Sequence, residues 1–511
     1  MKKITPILFV ALLLMAGCTE NFEEINTNPN SPDRLSNPGV LFTNVIRGSI
    51  NNNFEHSYNR GSIAGDLLYN DFGGNYNNWV RGDANGYFLW NYYTYIRDLN
   101  EVISIAEEQG LNNYKGVALV LRSWMFQNLT DLYGPIPFRE ASNAKLQGIN
   151  RPKYEQQQIV YEGLLNDLEE ANSLLGTTNE NVVGDILFGS DILSWKKFST
   201  GLMVRLLMRQ SKKVDPSDAL TNILNNPSNY PLFESNADQA ALQYIADTRG
   251  NAMPLFTKSN SDYATSTRVS KNLIDNLKLL NDPRLPVFAL PTQASVSGTA
   301  PDPQDFEYVG AVNGNGQLSD PKEYSAPGML WAPEQYSPTL ASMNAAQGII
   351  LSYSEVQFNL AEAAEKGYLP GGSSAAEGYY LNGIKAQFNY YSARIGSNYS
   401  ASYLQLNGED VIPGESYYLQ PTVQYSGTAE EKLEKIALQK WLSLYLVGYE
   451  AWFEWRRTGF PEITVGTEGP GFIARRSLYP ADEMRINEEN YQIAVSWLGG
   501  DDLKSRVWWD N

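Results

Sequence analysis

The sequence predicts a mainly α-helical protein: a solenoid of helical hairpins carrying long irregular loops and a few short strands. Apolar residues recur at i, i+3, i+4 spacing through paired segments of roughly 16–25 residues. Between the pairs lie stretches dense in Gly, Pro, Asn, Ser and Tyr that carry no helical period. With 511 residues, 42% of them hydrophobic, the chain can bury a large core.

Residues 1–17 read as an export signal. Lys2 and Lys3 precede an apolar run from Ile7 to Met15, and small residues Ala16 and Gly17 follow. The run is too short to span a bilayer. Cys18, the only cysteine of the chain, stands where a lipoprotein signal places its acylated residue. A lipid anchor at Cys18 is therefore expected, and several acyl chains would hold firmly, since each buried methylene contributes roughly 0.8 kcal/mol. Residues 18–38, rich in Asn, Pro and Ser, read as a tether, and 39–511 as one helical domain.

Helical periodicity covers 91–109, closed by Gly110, and 115–133, stopped by Gly134-Pro135. A second pair spans about 154–175 and 191–213, a third about 351–366 and 374–394, and one long helix about 429–457. Loop insertions are expected at about 51–90, 225–345 and 395–428. Loops of that length in a compact domain usually carry function. No clean sequence repeat of about 34 residues is present.

Composition excludes several functions. The net charge of -18 becomes -20 once Lys2 and Lys3 leave with the signal. Such a surface does not bind nucleic acid, and charge does not draw it to anionic lipid. With one cysteine, no disulfide forms within the chain. The single histidine, His56, leaves any triad or multi-histidine metal site without partners and reads as an exposed loop or helix residue. Asp66, Asp71 and nearby Asn residues carry oxygens suited to calcium, but their spacing matches no ordered binding loop. Gly73-Gly74 lacks the context of a phosphate loop. Asp66 and Asp71 in a Gly- and Asn-rich loop, and Glu450 and Glu454 one helical turn apart, offer glycosidase-like carboxylate pairs. Arg456 and Arg457 follow at once, and helical spacing brings Glu454 to Arg457 as an ion pair. No catalytic residue, cofactor or metal is assigned.

Binding chemistry is plentiful, with 32 Tyr and 11 Trp. Tyr76, Trp79 and Arg81 fall in a loop among Asn75, Asn77, Asn78 and Asp83. Aromatic rings can lie on the apolar face of a pyranose while amides and Arg bond its hydroxyls. A second aromatic loop holds Tyr324, Trp331 and Tyr336. The expected ligand positions are Tyr76, Trp79, Arg81 and Trp331. Tyr87, Trp90, Tyr92, Tyr93 and Tyr95 lead into a helix and are expected mostly in the core.

Four segments resemble motifs of the SusD/RagB family of Bacteroidetes outer-membrane lipoproteins. Leu121-Arg122-Ser123-Trp124, continuing to Tyr133-Gly134-Pro135-Ile136-Pro137, is similar to the family's Arg-Ala helix running into Tyr-Gly-x-x-Pro. Ser354-Glu355-Val356-Gln357-Phe358, followed by Ala361-Glu362-Ala363, resembles its AE-x-x-F-x-x-AEA helix. Residues 449–459 resemble its FEG-x-R-W-x-D-L-R-R-x-G helix, with Ala451 for Gly and Glu454 for Asp. Residues 476–487 resemble its R-x-P-x-P-x-x-E-x-x-x-N segment without the first proline. The resemblance implies a tetratricopeptide-like superhelix with irregular loops forming the ligand-binding face. It also implies a lid over a SusC-like TonB-dependent transporter, capturing a glycan or, in some relatives, peptides. The acidic run Glu20, Glu23, Glu24 resembles the family's surface-export signal, which implies an outer-membrane lipoprotein facing outward.

Overall fold

The computed structural model describes residues 37–70, 89–245, 250–257, 266–297, 302–331, 346–395, 399–400, 405–406, 408–468 and 471–510. Cys18 lies outside them. The principal helices are α1 (Gly39–His56), α2 (Tyr92–Gln109), α3 (Asn112–Tyr133), α4 (Gln157–Leu174) and α5 (Ile192–Arg209). They continue as α6 (Ser217–Asn225), α7 (Lys271–Leu279), α8 (Tyr353–Glu365), α9 (Gly372–Ile395), α10 (Ala429–Ser443), α11 (Glu450–Thr458) and α12 (Glu488–Leu498). In this tetratricopeptide-like superhelix α2 packs on α3, α3 on α4, and α4 on α5. The stack then passes from α5 to α8, which packs on both α9 and α10. Four two-stranded antiparallel ribbons decorate the helices, among them β1 (Leu68–Asn70) with β5 (Thr267–Val269), β2 (Ile136–Pro137) with β3 (Tyr154–Glu155), and β4 (Ala240–Gln243) with β6 (Gln347–Leu351). The fourth joins Tyr399–Ser400 to Gln405–Leu406.

Local signals set most boundaries. Gly110 ends α2 in the left-handed region at φ 69°, donating its N–H to the Ala106 carbonyl. Ser352 caps α8 by accepting from Glu355 N–H, and Thr428 with Glu431 forms a reciprocal capping box on α10. The structure departs from the sequence reading in several places: α7 forms within the 225–345 stretch read as loop, and α6 and α12 have no counterpart in that reading. Residues 51–64 are helical rather than loop: α1 runs to His56 and continues through a π-turn, Ser57–Gly61, into Ser62–Ala64. The apolar Phe54, Tyr58 and Ile63 of this stretch face the core. The long helix expected over 429–457 is two helices, because Leu446 (φ 58°) and Gly448 (φ 55°) turn the chain between α10 and α11. A Cβ at Gly448 would fall 2.6 Å from the Asn53 side chain, so that turn is fitted against α1.

The polar interior is an ion network joining five helices. Arg205 on α5 binds Glu355 on α8 bidentately at 2.6 and 2.7 Å and reaches Glu450 on α11 at 3.2 Å. Arg209, one turn on, contacts Asp131 on α3, Glu450, and Glu454 at 3.2 Å. Glu454 also takes Lys440 of α10 at 2.8 Å and Arg457 at 2.7 Å, and Arg457 reaches across to Glu362 of α8. The Glu454–Arg457 pair read from helical spacing is thus formed. Asp131 further accepts from Tyr161 Oη at 2.6 Å and Trp509 Nε1 at 2.7 Å.

The motif segments meet each other. Tyr133 stacks on Tyr479 at 5.8 Å, Tyr479 Oη donates to the Pro135 carbonyl, and Arg476 donates to the Tyr133 carbonyl. Ala451 lies against Gly65, so the methyl at this position has glycine opposite it.

Replacing Arg209 with Met leaves Asp131, Glu450 and Glu454 short of a countercharge in the dry interior. Arg209→Met should cost about 3–5 kcal/mol, read from the midpoint of urea unfolding at unchanged slope. A cost below about 1 kcal/mol would mean that the network relaxes around the gap.

Candidate functional site

Residues 66–70, which precede the first aromatic loop in sequence, are supported by irregular chain rather than by helix. β1 pairs with β5 in the register Leu68↔Val269, Tyr69↔Arg268, Asn70↔Thr267. Beside it, Asn313 Nδ2 donates to the Leu68 carbonyl at 2.9 Å and to Asp66 Oδ1 at 2.7 Å. Tyr69 Oη donates to the Gly316 carbonyl. Residues 313–315 are tied in turn to 466–468: Gly466 N–H donates to the Asn313 carbonyl and Glu468 N–H to Gly314, both at 2.8 Å. Several chain segments are therefore laced into one support immediately before residue 71.

Asp66 sits at the centre of that support with φ 55°, and Ser270 Oγ donates to its carbonyl. Burial pushes its carboxyl up to about 7, with the Asn313 and Asn272 amides offsetting part of the cost. The partner that faces this carboxylate is an amide, not a cation. Among the described residues no group of three or more His, Cys, Asp or Glu side chains is placed to hold a metal ion.

Of the expected ligand positions, Tyr76, Trp79 and Arg81 lie outside the described residues, as do Asp71, Gly73-Gly74 and Tyr336. Trp331 is described, and its position corrects the expectation. It is 6% exposed and packs on Tyr445 at 4.8 Å, Phe288 at 6.1 Å and Tyr391 at 6.3 Å. The Gly328 N–H to Phe288 carbonyl bond holds the turn that carries it against the helical turn Leu285–Phe288. Trp331 belongs to the core, while Tyr324 on the same segment remains half-exposed.

The first residues described after the loop border a cleft of about 250 Å³ that includes Trp90, Tyr93, Asn150, Pro152, Glu483 and Asn487 in its walls. Trp90 meets Tyr93 and Tyr133 edge-on at 5.0 and 4.9 Å. Glu483 accepts from Tyr154 Oη at 2.6 Å, and burial raises its pKa. Trp90 and Tyr93, expected mostly in the core, thus also border open space. Asn150 and Glu483 are distant along the chain, and no sequence signal links them to the cleft. Rings beside amides suit a polyhydroxylated ligand.

The Glu450–Glu454 carboxylate pair is committed to ion pairing. Burial opposes its ionisation, yet Arg457, Lys440 and Arg209 hold Glu454 well below the usual carboxylate range, and Arg205 and Arg209 lower Glu450. A permanently ionised, fully engaged carboxylate cannot serve as a general acid near neutral pH. His56 ends α1 half-buried, its Nδ1 3.3 Å from Tyr449 Oη.

Asp66 makes stability depend on pH. The folded chain holds its proton up to about pH 7, whereas the unfolded chain releases it near 3.8. Stability from this group is therefore full at low pH and lost as pH climbs through that window. Asp66→Asn keeps the acceptor for Asn313 without ionising, so its advantage over wild type should be larger at pH 8 than at pH 5. An equal difference in melting temperature at both values would reject the assignment. Trp331→Ala should cost about 3–5 kcal/mol in denaturant unfolding, as for a core aromatic; a near-neutral effect would return Trp331 to the ligand surface.

The SusD-like family, described as starch-binding and associating with the outer membrane, matches residues 29–480. No curated protein matches the sequence. Among solved structures, a chitin-binding protein is 27% identical, with 93% of this chain and 100% of that one covered at TM-score 0.74. An outer-membrane protein of Bacteroides vulgatus, with nutrient binding as its ascribed role, is 26% identical with 93% and 100% covered at TM-score 0.75. A SusD homologue from Bacteroides fragilis is 25% identical over the same shares, also at TM-score 0.75. With a family match across most of its length and the same helical scaffold in these structures, the chain belongs to the SusD-like family.

Proposed function

We propose that this protein is a non-catalytic, cell-surface glycan-binding lipoprotein. It captures oligo- or polysaccharide and delivers it to a SusC-like TonB-dependent transporter of the outer membrane. The observation that carries this reading is the likeness, along nearly the whole chain, to a chitin-binding protein. The family's description as starch-binding points to the same ligand class. Cys18 is the lipid anchor, 1–17 the signal that precedes it, and 18–38 the tether to the domain 39–511. Tyr76, Trp79 and Arg81 supply stacking and directed hydrogen bonds, and in sequence they lie between the bonded segment 66–70 and Trp90 of the cleft. Trp331 is left out of this set because its ring is taken up by packing.

Non-catalysis rests on how the carboxylates are paired. Glu450 and Glu454 are neutralised by arginines and a lysine, and among the described residues the Trp90 cleft includes one carboxylate, Glu483, where a glycosidase needs two. Exposed stacking surfaces give modest affinity, because the entropy lost in ordering a flexible sugar chain opposes the attraction of the rings.

The test is a binding screen of residues 19–511 against starch, other glucans, chitin oligosaccharides, mannans, pectins and peptide mixtures, with products followed by chromatography. Saturable binding of one glycan without new fragments is expected. Trp79→Ala should weaken it at least tenfold, equivalent to about 1.4 kcal/mol, with the melting temperature unchanged. New fragments would make the protein a hydrolase, and binding of peptides alone would replace the ligand class.

A further inference from the structure

A cleft of about 130 Å³ opens where α8, α10 and α11 meet, away from the aromatic loops in sequence. Lys212, Lys366, Lys440 and Arg457 line it together with Glu362 and Glu454. The carboxylates are already fully used. Glu362 takes Arg457 and Lys366, the latter at 2.7 Å, while Glu454 takes Arg457 and Lys440 at 2.7 and 2.8 Å. Lys212 has no ion pair among the described residues. Asp510, whose charge also acts on Lys212, is paired with Arg475 and Arg506 at 3.3 and 3.4 Å. The lining thus carries more positive than negative charge. Leu433, Ala437 and Phe460 form its apolar walls, and low-dielectric walls concentrate such a field.

We propose that this cleft binds a tetrahedral oxyanion, sulfate or phosphate, with Lys212 as its principal ligand and Lys366 at its side. Free ions and sulfate esters on a glycan share that chemistry. The titration behaviour of the lysines agrees. Partial desolvation, then Arg457 and Lys366, hold Lys212 below its ordinary range although much of its side chain is exposed, and full burial with Arg457 does the same to Lys440. An anion seated among them relieves that repulsion, which a protein of net charge -18 does not do here by itself.

The experiment uses residues 19–511, which contain the whole folded unit 39–511. Sulfate and phosphate are titrated calorimetrically against chloride at matched ionic strength. Binding to one site per chain is expected, weakened at least tenfold by Lys212→Ala and unchanged by Lys213→Ala, whose side chain does not line the cleft. Both lysines are exposed, so both variants should fold. A sulfated oligosaccharide and its desulfated counterpart then compete with free sulfate. Competition by the sulfated form alone identifies an ester on a glycan; competition by neither identifies a free ion. Sulfate and phosphate behaving like chloride, or equal losses in the two lysine variants, would overturn the proposal.

Discussion

Arg209 is the side chain on which the rest of the scaffold depends. A guanidinium taken out of water must be met by carboxylates at close range, or its desolvation is uncompensated. Asp131, Glu450 and Glu454 meet it from α3 and α11, and Arg205 repeats the arrangement one turn earlier with Glu355 of α8. Apolar packing alone would tolerate sliding of one helix along another. A bidentate pair does not, because each guanidinium fork has a single acceptable position for its carboxylate. The network thus fixes the register of α3, α5, α8, α10 and α11. It also commits Asp131, Glu355, Glu362, Glu450 and Glu454 to ion pairing.

Helices and irregular segments are consequently held by different material. The helices hold the large aromatics as core: Trp124, Trp195, Trp441, Trp452 and Trp509 are all fully buried. The buried indole N–H groups are satisfied where a partner is near, as with Trp441 on the Gly65 carbonyl and Trp452 on Ala474. Irregular segments such as 309–316 and 464–468 have no periodic backbone ladder and are held instead by specific bonds to one another. Within them Ala311 and Asn313 face inward, while Val309, Asn315, Thr467 and Glu468 are exposed.

What was legible in the sequence follows this division. Periodicity and caps located α2, α3, α4, α5, α8 and α9 to within a few residues, because those signals are local. The break between α10 and α11 was not legible. Leu444-Tyr445-Leu446-Val447 continues an apolar pattern, and the turn is fixed by Asn53 and Gly61, which lie near the other end of the chain. Likewise 51–64 carries three consecutive asparagines that read as loop, while burial of Phe54 and Tyr58 keeps it helical. Glu454 with Arg457 could be read from spacing; Arg209 with Glu450 could not, since 241 residues separate them.

Trp331 shows the same limit at the level of a site. Composition marks an aromatic in a Gly- and Pro-rich segment as available for stacking, and for Tyr324 that reading is consistent with its half-exposure. The two residues share one irregular segment, yet only one faces the core. The difference arises from the turn Leu285–Phe288, which presents Phe288 and receives Trp331 beside Tyr445 and Tyr391. In a loop, the direction of a side chain is set by whatever the backbone is bonded to, not by a period. Which side chains of a loop surface face outward therefore depends on bonds between segments far apart in the chain.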